Sequence, residues 1–352
     1  MSAAASSPDP MPEPFREAQV LVTGATGFSG SVLVRQLTEA GARIRAIARP
    51  SSRIDVLADL DIEWVRGQVY DASIVKAATV GVHYVFHLAA ALREARSNED
   101  SYRRVHCAST RLLAEAAART PGFKRFVHVS TVGVHGHVAQ PPADETAPFH
   151  PDDGYQRTKA EAETWFREFA LTQGLPHVVI RPCAIYGPGD RRLLKLFRMA
   201  ARGLVPVLGH SRGLYHLIHV EDLARVLLRS AVHPAALNEV FIAGSDMAVT
   251  LADIVQVVGR TLGRRVRIVR LPAWPFFALA AVCETVCRPL GLEPPLYRRR
   301  VAFFTKDRSF DTRKLRNVLG YAPLFADEEG LSSTTRWYVE RGWIRAPLAE
   351  SP

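Results

Sequence analysis

The run Thr23-Gly24-Ala25-Thr26-Gly27-Phe28-Ser29-Gly30 limits the possible folds more than any other part of the chain. It follows a short apolar run, Gln19–Thr23, that reads as a β-strand. It opens a segment, Gly27–Ala40, with apolar residues at Phe28, Val32, Leu33 and Leu37 and a stop at Gly41, the pattern of an amphipathic helix. Glycine lets the backbone turn sharply and lets another group approach it closely. The helix start adds free N–H groups and the positive end of a dipole. In this strand–turn–helix setting the run implies a pyrophosphate site, with Gly24, Thr26, Gly27, Phe28, Ser29 and Gly30 against a dinucleotide.

The rest of the chain continues the alternation. Ile44–Ala48, Asp61–Val65, Val82–Leu88, Phe126–Ser130 and His177–Arg181 read as strands, and Asp71–Thr79, Tyr102–Arg119 and Asp153–Gln173 as helices. Strands alternating with helices predict an α/β fold, a doubly wound parallel Rossmann sheet with its ligand crevice at the strand C-termini. After Arg181-Pro182 the rhythm loosens. His219–Ser230 and Thr250–Leu262 still read as helices and Val240–Ala243 as a strand, whereas residues 264–310 are rich in Pro and Arg with little strand periodicity. The expected organisation is a disordered tail over residues 1–15, then a dinucleotide-binding domain over 16–181 with 216–245 returning to it. A small discontinuous C-terminal substrate lobe is expected from 182–215 and 246–345.

With 45 Lys+Arg against 35 Asp+Glu, the net charge of +10 suits a soluble enzyme or attraction to anionic ligands. No nucleic-acid-binding motif accompanies it, so nucleic acid is not an expected partner. Four cysteines in 352 residues make no disulfide framework, and the N-terminus lacks the basic start and apolar run of a secretory signal, so a cytoplasmic location is expected. No His or Cys spacing calls for a metal.

The second strand ends in Ala46-Ile47-Ala48-Arg49-Pro50-Ser51-Ser52-Arg53. NAD-selective sites carry an acid there to hold the ribose 2′-hydroxyl. Here Arg49 and Arg53 could instead clasp a 2′-phosphate, which favours NADP(H) over NAD(H).

Tyr155 and Lys159 lie four residues apart and share one face of the predicted helix. An ammonium beside a phenol favours the phenolate and brings it toward neutral-pH proton exchange. Ser130 and Thr131 end the fifth strand at the same edge of the sheet, where a hydroxyl could hold a substrate oxygen.

Together these motifs, with His87-Leu88-Ala89-Ala90, Arg181-Pro182 and Tyr186-Gly187-Pro188, resemble the extended short-chain dehydrogenase/reductase superfamily of the NAD-dependent epimerase/dehydratase type, over roughly residues 18–340. The resemblance implies Thr131, Tyr155 and Lys159 as the catalytic set. It implies Gln68, Val69, Leu88, Ala89, Ala90, Tyr155, Lys159 and Pro182 as further cofactor contacts. Two positions depart from the family's pattern: Gln68 stands where an Asp is common, and His106 where an Asn is usual. Relatives that dimerise use two helices, here Tyr102–Arg119 and Asp153–Gln173, so a homodimer is implied.

Within the superfamily the pattern is similar to the 3β-hydroxysteroid dehydrogenase and dihydroflavonol reductase-like branch. Ala184 replaces the Asn that nucleotide-sugar enzymes usually carry, and Gly213–Leu217 lacks their Arg-Asp pair. The C-terminal runs Phe304-Thr305-Lys306-Asp307 and Leu319-Gly320-Tyr321-Ala322-Pro323 agree with that branch. The expectation is an enzyme interconverting a lipophilic secondary alcohol and its ketone. A nucleotide-sugar epimerase or dehydratase and a non-catalytic dinucleotide sensor are the alternatives. The apolar stretch Trp274–Cys283 is too short to span a bilayer. It reads as a core helix of the substrate lobe or, with Arg298, Arg299 and Arg300, as a lid or peripheral membrane contact.

Overall fold

The computed structural model describes residues 13–91, 99–208, 213–287, 289, 292, 294–298, 301 and 308–345. Phe304–Asp307, Arg299 and Arg300 therefore lie outside the described residues.

The N-terminal half builds a parallel sheet from β1 (Gln19–Thr23), β2 (Arg43–Ala48), β3 (Ile62–Arg66), β4 (Tyr84–His87), β5 (Arg125–Val129) and β6 (His177–Pro182). A seventh strand, Glu239–Ala243, returns from the C-terminal half to pair with β6. The sheet order, starting from that strand, is then β6-β5-β4-β1-β2-β3. The chain leaves β1 in opposite directions toward β2 and β4, so the C-terminal end of β1 is the point where the winding reverses and a crevice opens.

Helices cover both faces, as near-continuous apolar strands require. On one face, α1 (Phe28–Glu39) packs against the helix Val220–Val232 over Val20, Val22, Phe86, Val127 and Ile180. On the other, α2 (Ala72–Ala78), α4 (Ser109–Ala118) and α5 (Gly154–Thr172) cover Leu21, Val85, Phe126 and Val179. Adjacent residues of one strand thus serve opposite cores, and each fully buried Val, Leu or Phe stabilises the fold by about 1.5–3 kcal/mol.

The helix expected over Tyr102–Arg119 is three pieces. α3 (Glu99–Arg103) runs into a π-helical turn, Arg104–Ala108, which continues as α4. The expectation of one uninterrupted helix rests on an unbroken i→i+4 ladder, which the wider turn interrupts locally.

Two other expectations are corrected. Residues 13–15, assigned to a disordered tail, form a 3₁₀ turn that delivers Phe15 into the core, its ring 5.1 Å from that of Tyr84. The apolar ring outweighs the surrounding Pro-rich composition. The C-terminal half also carries strands where little periodicity was read. β7 (Ala184–Tyr186) and β8 (Leu204–Leu208) are followed by β9 (Leu214–Tyr215) and β10 (Leu217–His219). The run Arg267–Leu271 pairs in parallel with β8 even though Arg residues interrupt it. Their outward-facing charges are what masked the pattern. Around them Phe197, Val205, Leu251, Val255, Leu331 and Tyr338 form the separate core of a smaller lobe. Its helix Leu251–Thr261 starts on a capping box between Thr250 and Asp253.

Candidate active site

The glycine turn is built as its sequence requires. Gly24 has φ +77°, and a Cβ there would lie 3.0 Å from the backbone of Leu88 and Ala89. A Cβ on Gly30 would lie 2.0 Å from the Gly24 carbonyl oxygen. The N–H of Gly27 closes the turn by donating to that same carbonyl at 3.0 Å. No side chain caps the start of α1, so Phe28 and Ser29 begin the helix at an end suited to an anion. The cradle fits the pyrophosphate of a dinucleotide.

The turn is fastened to the end of β4 by side chains. Thr23 Oγ1 accepts the Ala89 N–H at 3.2 Å and lies 2.7 Å from His87 Nδ1. His87 Nε2 lies 3.0 Å from Thr110 Oγ1. Since the Thr110 hydroxyl donates to the His106 carbonyl, His87 must carry its proton on Nε2 and accept from Thr23 on Nδ1. Complete burial pushes the His87 pKa down to about 3, so the ring stays neutral and this arrangement persists. His87 therefore fixes Leu88, Ala89 and Ala90 beside the turn.

Arg49 and Arg53 both stand exposed beyond β2. Their states differ. The Arg53 guanidinium is 2.8 Å from Asp55, whereas Arg49 makes no ion pair among the described residues. Gln68 is half-buried after β3, and Val69 is packed into the sheet core. Asp71, the nearest carboxylate to the position where relatives carry Asp, caps α2 by accepting from Ser73 and Ile74.

The residues expected to handle the proton follow β5 and open α5. Asp153 caps α5, accepting the Gln156 N–H at 2.9 Å, so the helix starts immediately before Tyr155. Tyr155 is half-buried, while Lys159 one turn later is buried. Lys159 Nζ donates to the Val129 carbonyl at 2.9 Å. Desolvation lowers its pKa to about 8, with the nearby Glu163 carboxylate opposing the shift. Thr131 follows β5 by two residues. Its Oγ1 accepts from the Gly133 N–H at 3.0 Å, which keeps its own proton available. Pro182 ends β6, paired with Ala243, at the same edge of the sheet.

One buried ion pair was not anticipated. Arg181 and Glu163 face each other at 2.6 Å, and Arg181 also reaches the Glu145 carbonyl at 2.9 Å and the His135 ring at 3.2 Å. It ties β6, α5 and the loop that begins at Thr131 into one unit. A signal was present: Glu163 is four residues beyond Lys159, so a second charge occupies the inward face of α5. His128 is stacked 4.9 Å from Phe166 with neither ring nitrogen hydrogen-bonded, and burial holds its pKa far below the usual value. Asp222 joins the lobes by accepting the Leu324 N–H at 2.7 Å, while His219 precedes its helix without capping it by its side chain.

Residues 20–244 match the profile described as the NAD dependent epimerase/dehydratase family. The chain is 29% identical over 340 residues to a 3 beta-hydroxysteroid dehydrogenase/Delta 5-->4-isomerase of Mycobacterium tuberculosis, covering 91% of this chain and 90% of that one. It is 28% identical over 345 residues to a dTDP-glucose 4,6-dehydratase of Streptomyces niveus, covering 92% and 94%. Among solved structures, the dTDP-glucose 4,6-dehydratase DesIV of Streptomyces venezuelae, with NAD bound, superposes with a TM-score of 0.73 at 25% identity, over 93% of this chain and 99% of that one.

Proposed function

Because the chain belongs to the NAD dependent epimerase/dehydratase family, we propose that it interconverts a lipophilic secondary alcohol and its ketone, with NADP(H) favoured over NAD(H). The observation that carries the reading is Lys159: a buried ammonium, one helical turn from Tyr155, anchored on the strand that leads to Thr131. A dinucleotide sensor needs the glycine turn but has no use for a desolvated lysine beside a phenol.

The bound dinucleotide would supply or accept hydride at its nicotinamide C4. The residues of the chain do the rest. In reduction, the Thr131 hydroxyl donates to the substrate carbonyl oxygen and holds it beside Tyr155. The Tyr155 phenol gives its proton to that oxygen as it becomes an alkoxide. The Lys159 ammonium favours the resulting phenolate and would bind the nicotinamide ribose. In oxidation Tyr155 takes the proton back. Gly24, Gly27 and the start of α1 would hold the pyrophosphate, and Arg49, exposed beyond β2, would meet a ribose 2′-phosphate.

Two features support a lipophilic substrate. Ala184, in β7, offers no polar side chain where nucleotide-sugar enzymes place Asn. The helix Trp274–Cys287 leaves Trp274, Leu279, Val282 and Val286 exposed, with only Ala280 fully buried. It is therefore not the core helix expected for Trp274–Cys283. Its exposed apolar side chains fit peripheral contact with a lipid surface, from which such a substrate would be drawn. No described helix is long and apolar enough to cross a membrane. A homodimer is part of the proposal, formed through α4 and α5, where Arg111 lies 5.2 Å over Trp165 and Trp165 stacks 4.8 Å from Phe169.

The similarity to dTDP-glucose dehydratases makes nucleotide-sugar chemistry the second reading. A turnover screen of steroid-like ketones, flavonoid-like ketones and UDP- and dTDP-sugars, each with NADPH and NADH, separates the two. Turnover of a ketone with NADPH preferred supports the proposal. Turnover of the sugar nucleotides alone overturns it.

A further inference from the structure

His106 occupies the π-helical turn between α3 and α4, and its ring points inward. Its Nε2 accepts the Ala91 N–H at 3.1 Å. Ala91 directly follows the Leu88–Ala90 run beside the glycine turn. On its other side, Nδ1 lies 2.9 Å from Thr158 Oγ1. The Thr158 hydroxyl proton is used within α5, toward the carbonyls of Gly154 at 2.9 Å and Tyr155 at 3.1 Å. Nδ1 therefore carries the imidazole proton and donates to Thr158, while Nε2 is left as the acceptor for Ala91. The ring face is stacked on Tyr102 at 5.7 Å, and the ring stands edge-on to Tyr155 at 5.1 Å and 89°.

We infer that His106 is a positioning residue that sets the Tyr155 phenol against the cofactor-lining run Leu88–Ala91. One imidazole spans two elements that must keep register during catalysis: the backbone beside the cofactor cradle and the first turn of the helix that carries Tyr155 and Lys159. An alkyl side chain makes neither bond, and an Asn, being shorter and having no ring, makes at most one of them while losing the edge contact with Tyr155. His106 lies within the wide turn with its side chain buried. The inference rests on the assignment of Tyr155 as proton donor.

The test uses the full-length protein with NADPH and the best ketone from the screen. His106→Ala should lower kcat about 10- to 100-fold, the size of effect that a misplaced reacting group produces. The dissociation constant of NADPH, read by nucleotide fluorescence, should move by less than about threefold over the same change. His106→Asn should recover part of the lost kcat. Thr158→Val should give a smaller loss that is not additive with His106→Ala, because both remove the same bond. An independent readout needs no substrate. The phenolate absorbance that disappears in Tyr155→Phe, followed against pH with NADP⁺ bound, should titrate at higher pH in His106→Ala. An unchanged kcat and an unchanged phenol titration would overturn the inference. So would a kcat, nucleotide affinity and melting temperature that all fall together, since that is a purely structural role. If the wild type turns over no ketone, the functional proposal fails while the phenol titration still decides the role of His106.

Discussion

Lys159 Nζ sits 2.9 Å from the carbonyl of Val129, two residues before Thr131. This single hydrogen bond ties the helix that carries Tyr155 to the strand that carries the hydroxyl. It is made by a lysine whose pKa burial has lowered to about 8.

The depressed pKa has a thermodynamic consequence. An unfolded lysine titrates near 10.4, so between about pH 8 and 10.4 the unfolded chain binds more protons than the folded one, and stability must rise with pH over that window from this group. Urea unfolding of the apo-protein should show wild type gaining stability relative to Lys159→Met from pH 8 to pH 10. A difference that stays constant across the window would contradict the burial of a charged lysine. In the free enzyme kcat/KM should fall as pH rises through about 8, where the ammonium is lost.

Gly30→Ala is expected to disable the cofactor cradle. The new methyl would meet the backbone oxygen of Gly24, which cannot move away without reshaping the turn. Destabilisation of about 1–3 kcal/mol or more should accompany loss of NADPH binding, measured by urea unfolding and nucleotide fluorescence. Normal nucleotide affinity in this variant would be incompatible with the turn geometry.

Arg49 and Arg53 are predicted to contribute unequally. Arg53 is engaged by Asp55, whereas Arg49 is uncommitted among the described residues. Arg49→Glu should raise the KM for NADPH relative to NADH by roughly 10-fold, the value of one charge-assisted contact. Arg53→Ala should shift the ratio less. Equal ratios in wild type and Arg49→Glu would remove the argument for NADP(H).

The buried Arg181–Glu163 pair should behave as a unit. Removing one partner leaves the other charge buried and alone, a loss of about 3–5 kcal/mol, so Arg181→Met should be strongly destabilising. The double variant Arg181→Met/Glu163→Leu should recover part of that loss, as read from paired urea titrations. Additive losses would show that the two charges act separately.

The sequence made the sheet and the glycine turn legible because both depend on local rules. Strands covered on both faces are mostly apolar, and a tight turn onto a helix start needs glycine at fixed intervals. Spacing put Tyr155 and Lys159 on one helix face, and the family resemblance, not the spacing, joined them to Thr131 as the proposed catalytic set. The remainder depended on tertiary contacts. Phe15 looked like part of a Pro-rich tail because nothing nearby reveals Tyr84 as its partner. The strand Arg267–Leu271 was hidden by arginines that face outward. His106 was visible only as a departure from a family pattern; its two hydrogen bonds go to residues 15 positions before it and 52 positions after it. Local periodicity carries no information about either.

The central claim is that Tyr155 is the proton donor in a preformed dinucleotide site. Its most direct test is Tyr155→Phe, assayed for NADPH-dependent reduction of the best ketone and for NADPH affinity in the same preparation. Turnover should fall by at least about 10²–10⁴-fold while NADPH affinity changes by less than about threefold. Turnover that survives the loss of the phenol would contradict that claim.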